Sequence, residues 1–192
     1  MRLGIVALRA LVGTLFIGHG LQKLAGWFGG HGLEGTAAGF EKMGMTPGRR
    51  NALAAGLSET AGGLSLVTGF LTPLGTSAVT GTMAVAIAKV HGSKGLWNTG
   101  GGYEYNLVLG AAAFAIAAEG PGSLSLDARL GTEWSGPGVA VAQLAAGLLG
   151  AAAVMQAGAR AEGSEEGGAP PAAANGDRAG SAPQAAATAT TS

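Results

Sequence analysis

Glu59 is the residue whose chemistry is hardest to explain away. It lies within an apolar stretch, eight residues beyond Asn51 and so roughly 12 Å along a helix from the nearer end. A carboxylate at that depth in a bilayer must be paired, face a polar cavity or take up a proton. Few other ionisable or amide groups occupy such positions. Arg9, His19, Gln22 and Lys23 fall in the first apolar stretch, Lys89 and His91 close the third, and Tyr103 and Glu104 open the fourth. Histidine exchanges protons near neutrality, lysine and amide groups donate hydrogen bonds to an oxygen, and a carboxylate balances buried positive charge. Together these types suit a polar pocket for a small ligand. Snorkelling at helix ends is the ordinary alternative for Lys23, Lys89 and His91. For Arg9 the choice lies between reaching outward and pairing with Glu59 across the bundle.

The elements that must hold these groups are legible in where charge is missing. The chain of 192 residues has 11 Lys plus Arg, 11 Asp plus Glu and only 11% charged residues, against about 25% in a soluble domain. Five stretches, 3–23, 51–70, 73–91, 103–118 and 139–156, are nearly free of charge. As helices they would be roughly 24 to 32 Å long, the thickness of a hydrocarbon core. They lack the period-two alternation of strands and any continuous polar face that a soluble helical bundle would need. A cleaved signal peptide fits the first stretch poorly, because it is long, contains Arg9 and has no small-x-small site after it. The expected fold is all-α: a polytopic membrane four-helix bundle over 1–130, an additional transmembrane helix over 131–157, and a disordered Ala/Gly/Pro-rich tail over 158–192.

Composition also excludes whole classes of function. Zero cysteine removes thiolate catalysis, disulfides and Cys-ligated zinc or iron–sulfur centres. Zero net charge removes the basic footprint of a nucleic-acid binder, so no nucleic-acid partner is expected. The one certain partner of such a chain is the lipid bilayer.

Alternation of the stretches puts the segments 24–50 and 92–102 and the tail on one membrane surface. Lys23, Lys42, Arg49, Arg50, Lys89, Lys94 and Arg160 fall there, while the other surface has little beyond Arg2 and Arg129. The positive-inside rule then places the N-terminus outside and the tail in the cytoplasm. Both segments are Gly-rich loops carrying a tryptophan, Trp27 and Trp97, as expected of chain anchored at headgroup level. Within the stretches, Arg9, Gly13, Phe16, Gly20 and Lys23 share one helical stripe, and Gly56, Glu59 and Gly63 another. Small residues in both stripes predict close helix contact there.

Four motifs carry a resemblance: R-A-L-V-G-T-L-F-I-G-H-G-L-Q-K-L in the first helix, G-W-F-G-G-H-G-L-E-G-T-A after it, E-T-A-G-G in the second, and V-H-G-S-K-G-L-W-N-T-G-G-G-Y-E-Y after the third. In this order the chain resembles the DoxX family of small bacterial integral membrane proteins over roughly its first 127 residues. The resemblance implies a four-helix core in the bacterial plasma membrane. It implies also a link to membrane oxidoreductases, including thiosulfate:quinone oxidoreductase subunits and assemblies that handle oxidative or thiol stress. Carried over by position, the motif residues are Arg9, His19, Lys23, Glu59, His91, Trp97, Asn98, Tyr103 and Glu104.

On that footing the leading expectation is a subunit of a quinone-linked oxidoreductase system. His19, Lys23, Glu59 and His91 are its candidate catalytic groups, and Arg9, Trp97, Asn98, Tyr103 and Glu104 its substrate-binding ones. Lys23 and Asn98 would hydrogen-bond a carbonyl oxygen, His19 or His91 would move a proton, and Glu59 with Arg9 would hold the charge balance. No covalently bound cofactor is expected; a quinone is, with electrons arriving from soluble redox enzymes or from substrate. The rival is a non-catalytic scaffold that recruits such enzymes through its loops and tail. A small carrier or metal-binding protein using His19, Glu59, His91 and Glu104 ranks last, since their spacing is no compact metal motif and no metal site is assigned.

Overall fold

The computed structural model describes residues 2–167, with side chains through residue 161. The elements in chain order are α1 (Leu3–Ala25), α2 (Gly32–Lys42), α3 (Gly48–Thr68), α4 (Thr72–Ala86), α5 (Glu104–Glu119), α6 (Leu126–Leu130) and α7 (Pro137–Gly167). Among the described residues there is no strand. α4 continues through one wide π turn over Ile87–His91, followed by short 3-10 turns in the segment that leads to α5. All five charge-poor stretches are helices. α1 and the Pro137–Ala161 part of α7 are long and apolar enough to cross a bilayer by themselves. α4 with its π turn covers 72–91, roughly 30 Å.

Side-chain sizes are distributed as lipid demands. Leu11, Leu57, Leu74, Val108 and Leu149 are 58–70% exposed, while Gly13, Gly56, Gly63, Ala113 and Ala117 are buried. In water such a surface would be one large apolar patch. In a bilayer it costs nothing, because lipid tails are as apolar as leucine, and small residues inside let helix backbones meet. The chain is a membrane protein.

The closest meeting is between α1 and α3. A Cβ on Gly13 would stand 2.7 Å from the carbonyl oxygen of Gly63, and one on Gly20 would stand 2.7 Å from that of Gly56. Any larger residue would therefore push the two helices apart. α4 packs on α3 and α5, and α5 touches α1, which closes the four-helix ring. α7 lies outside the ring on α4 and α5. It crosses α4 where Gly81 faces Gly147, with a Cβ on Gly81 standing 3.0 Å from the Gly147 oxygen. Val12, Phe16, Leu66, Val79, Leu109 and Ile116 form the packed apolar core.

Three expectations change. The segment 24–50 is not all loop, since α2 occupies its middle and buries Ala37 against α3. The tail expected to be disordered from 158 begins as helix, since α7 runs on to Gly167. Ala157, Ala159 and Ala161 favour helix more than a count of lost hydrophobicity suggests. The remainder of the expected disordered tail, 168–192, lies outside the described residues. Arg9 is also far from Glu59, for reasons set out below.

Candidate functional site

The glycine contact between α1 and α3 decides which charges meet. Lys23 lies three residues beyond Gly20, and Glu59 three beyond Gly56, so each side chain emerges one turn from the point of closest approach. Lys23 Nζ donates to Glu59 Oε2 at 2.7 Å, with the two side chains 24% and 5% exposed. Glu59 is thus paired, as its depth requires, and its partner is Lys23.

This pair lines a cavity of about 580 Å³ bounded by α1, α3, α4, α5 and α7, with Phe40 of α2 and Met45 also on its wall. The volume falls in the range of ordinary small-molecule sites. Most of the wall is Ala, Gly, Val, Met, Phe and Leu. The polar groups on it include His19, Lys23, Glu59, Lys89, His91 and Asn106.

Each polar group is held differently. His91 Nδ1 lies 2.7 Å from the carbonyl oxygen of Gly101. A carbonyl only accepts, so neutral His91 carries its proton on Nδ1 and keeps Nε2 as the proton-accepting atom. His19 Nδ1 is 3.0 Å from Gln22 Oε1, and Gln22 Nε2 donates to the Phe28 carbonyl at 3.3 Å, which ties that ring to the turn after α1. Asn106, almost fully buried, donates from Nδ2 to Met83 Sδ at 3.3 Å. Lys89, on the π turn with His91, makes no hydrogen bond or ion pair among the described residues, so the lysine and glutamate charges on the wall sum to one positive. π turns recur at functional sites because the added residue re-aims side chains.

The remaining sequence-derived residues lie elsewhere. Trp97, Asn98, Tyr103 and Glu104 are not on the cavity wall. They shape the loop that presents Gly101 to His91. Glu104 Oε2 accepts from the Asn98 backbone N–H at 3.0 Å, the Tyr103 N–H donates to the Gly95 carbonyl at 3.1 Å, and the Glu104 N–H donates to the Leu96 carbonyl at 2.8 Å. Trp97 is 67% exposed. The Asn98 role expected toward a ligand carbonyl is therefore not one this geometry provides. Among the described residues no three His, Asp or Glu side chains gather as a metal-binding set, so His19, Glu59, His91 and Glu104 do not meet as ligands.

Arg9 belongs to a second polar cluster at the opposite end of the bundle. It is buried, and it donates to the Leu124 carbonyl at 2.6 Å and to the Pro121 carbonyl. Beside it Asp127, 1% exposed, accepts from the backbone N–H groups of Leu71 at 2.9 Å and Thr72 at 3.0 Å and from Thr72 Oγ1 at 2.8 Å. Asp127 thereby caps the N-terminus of α4 from another part of the chain, where the helix dipole favours negative charge. Arg9 was expected to balance Glu59, but fourteen residues of α1 separate it from Lys23, roughly 21 Å.

What these features define is a polytopic helical membrane domain with a polar cavity at one end and a sealed charge cluster at the other. Residues 4–92, slightly less than half of the chain, match the DoxX family model, which supports the resemblance that the motifs carry. The match takes in α1 to α4 and the π turn up to Gly92. It stops short of the 127 residues over which the motifs extend. Comparison with curated proteins and with solved structures returned no match.

Proposed function

We propose that the chain is the membrane subunit of an oxidoreductase system in the bacterial plasma membrane, and that its cavity receives the headgroup of a quinone. One observation carries this reading: a ligand-sized cavity joins a buried Lys23–Glu59 pair, an unpaired Lys89 and a histidine with a free proton-accepting nitrogen. A quinone supplies reversible uptake of an electron pair and two protons. Lys89 donates a hydrogen bond to a carbonyl oxygen, Lys23 does so while Glu59 balances its charge, and His91 moves a proton at Nε2. Electrons come from a soluble redox partner or from a substrate such as thiosulfate. The excess of Lys and Arg at the cavity end favours a cytoplasmic tail and a cytoplasm-facing site.

The test is quinone reduction by the full-length protein in proteoliposomes, supplied with thiosulfate or with a soluble reductase. Wild-type protein is expected to support reduction and Glu59→Gln to slow it at least about tenfold. Equal rates for the two would remove the cavity from the reaction.

A recruiting scaffold is the second reading, favoured by the length of α7. Its 31 residues extend for roughly 46 Å, beyond the hydrocarbon core, on the same side as the positive charge. Truncation after residue 158 separates the two, since loss of co-purifying soluble redox enzymes with quinone reduction intact supports the scaffold.

A further inference from the structure

The cavity wall is not of one kind. α1, α3 and the π turn supply its charged groups, whereas α7 supplies only Ala146, Gly147, Gly150, Ala151 and Val154. α7 packs on α4 and α5, and it meets the cavity on the flank opposite α1. Its residues alternate there between contact and opening. At Gly147 it is pressed against α4, where a Cβ would stand 2.7 Å from the Ser77 carbonyl oxygen. Three residues later a Cβ on Gly150 would meet nothing within 4 Å, and at Gly158 the Thr46 carbonyl oxygen is again 3.7 Å away. Between these two points Ala151 is buried in the contact, while Gly150 and Val154 turn out of it. On that flank several residues line the cavity and are exposed as well: Ala54 of α3, and Ala146, Gly150 and Val154 of α7. These positions fall in the apolar stretches 51–70 and 139–156, so in a membrane the flank faces lipid.

We infer that α7 forms the wall of a side portal through which the hydrocarbon tail of a membrane-dissolved quinone passes. The headgroup then sits by Lys23, Glu59, Lys89 and His91, and the tail runs out between α3 and α7. This rests on the headgroup reading above. It adds a selection rule: the chain discriminates by tail, and the helix that does so lies beyond the matched segment 4–92. A headgroup alone is held by polar contacts that compete with water. A tail adds apolar area removed from the bilayer only where the wall fits it, so a bulky residue on that wall acts on tailed ligands alone.

The experiment compares a tail-less dimethoxy-methylbenzoquinone with its decyl-tailed analogue, titrated against full-length protein by calorimetry and corrected for partitioning into detergent. The variants are Gly150→Leu, which fills the portal, and Gly138→Leu, at a position equally free of neighbours but away from the cavity. The expected result is that Gly150→Leu weakens the tailed quinone about tenfold or more and leaves the tail-less one within about twofold, while Gly138→Leu changes neither. Binding of both quinones by wild type with no effect of Gly150→Leu overturns the portal and leaves the headgroup site standing. Failure of either quinone to bind wild type overturns the headgroup reading and the portal with it.

Discussion

The two ends of the bundle answer the same electrostatic problem in opposite ways. At one end Arg9 and Asp127 are buried, and their charges are met largely by backbone: Arg9 by two carbonyl oxygens, Asp127 by two N–H groups together with the hydroxyls of Thr72 and Thr132. At the other, Glu59 is as deeply buried, yet its partner is a single flexible lysine and the space beside it is empty of protein over about 580 Å³. Backbone partners cannot move without the fold, so the first cluster is a fastener. Side-chain partners next to a cavity can exchange one contact for another, so the second has the capacity to bind. A buried charge in a membrane helix thus identifies a site only when what satisfies it is replaceable.

The comparison predicts where substitutions act, and Asp127→Ala carries the largest effect. It strips the cap from α4 and leaves Leu71 and Thr72 N–H groups unpaired. The expected loss is about 3–5 kcal/mol of stability, read by denaturant unfolding in micelles, with quinone affinity of the folded fraction unchanged. Unfolding indistinguishable from wild type would mean the sealed end is no fastener. Next comes His91→Ala, expected to lower quinone reduction about a hundredfold while the protein unfolds at nearly the same denaturant concentration. A parallel fall in stability and rate would turn His91 into a structural residue of the loop. Glu59→Gln comes third. The slowing of about tenfold or more should be accompanied by less than about 1 kcal/mol of destabilisation, because Lys23 can turn toward the surface once uncoupled. A loss comparable to that of Asp127→Ala would erase the distinction between the ends. Smallest is Trp97→Ala, at an exposed ring outside the cavity wall, which should stay within about 0.5 kcal/mol of wild type and within about twofold in rate.

How much of this was visible in the residues alone varies with the kind of partner each one has. The stripes Gly13–Gly20 and Gly56–Gly63 announce the α1–α3 contact, because small residues one or two turns apart have few other uses in lipid. Glu59, His19, Lys23 and His91 do come to one cavity, as depth counting suggests. The partners of Arg9 and the role of Asp127 are not legible, since they are mostly backbone carbonyls and N–H groups, which no side-chain pattern displays. Asn98 and Glu104 stand off the cavity wall for a similar reason: the Glu104 carboxylate is taken up by a backbone N–H six residues earlier. α2 is masked by Gly32, Gly35 and Gly39, which lower helix propensity while tertiary contact with α3 supplies the difference. Lys89 reads in the sequence as an ionisable end residue, but its place on the wall depends on the π turn, which leaves no mark in composition. Asn106 belongs to the same class, a lone amide in an apolar run whose neighbours only the packing reveals.

The glycine seam between α1 and α3 also fixes where this chain can tolerate change. Outward leucines such as Leu11 and Leu57 touch a fluid that accepts any oily shape, whereas Gly13, Gly20 and Gly63 each leave no room for even one methyl group. A saturation library scored for surface expression should therefore show a reversed map, with the bulkiest positions permissive and the smallest ones nearly immutable.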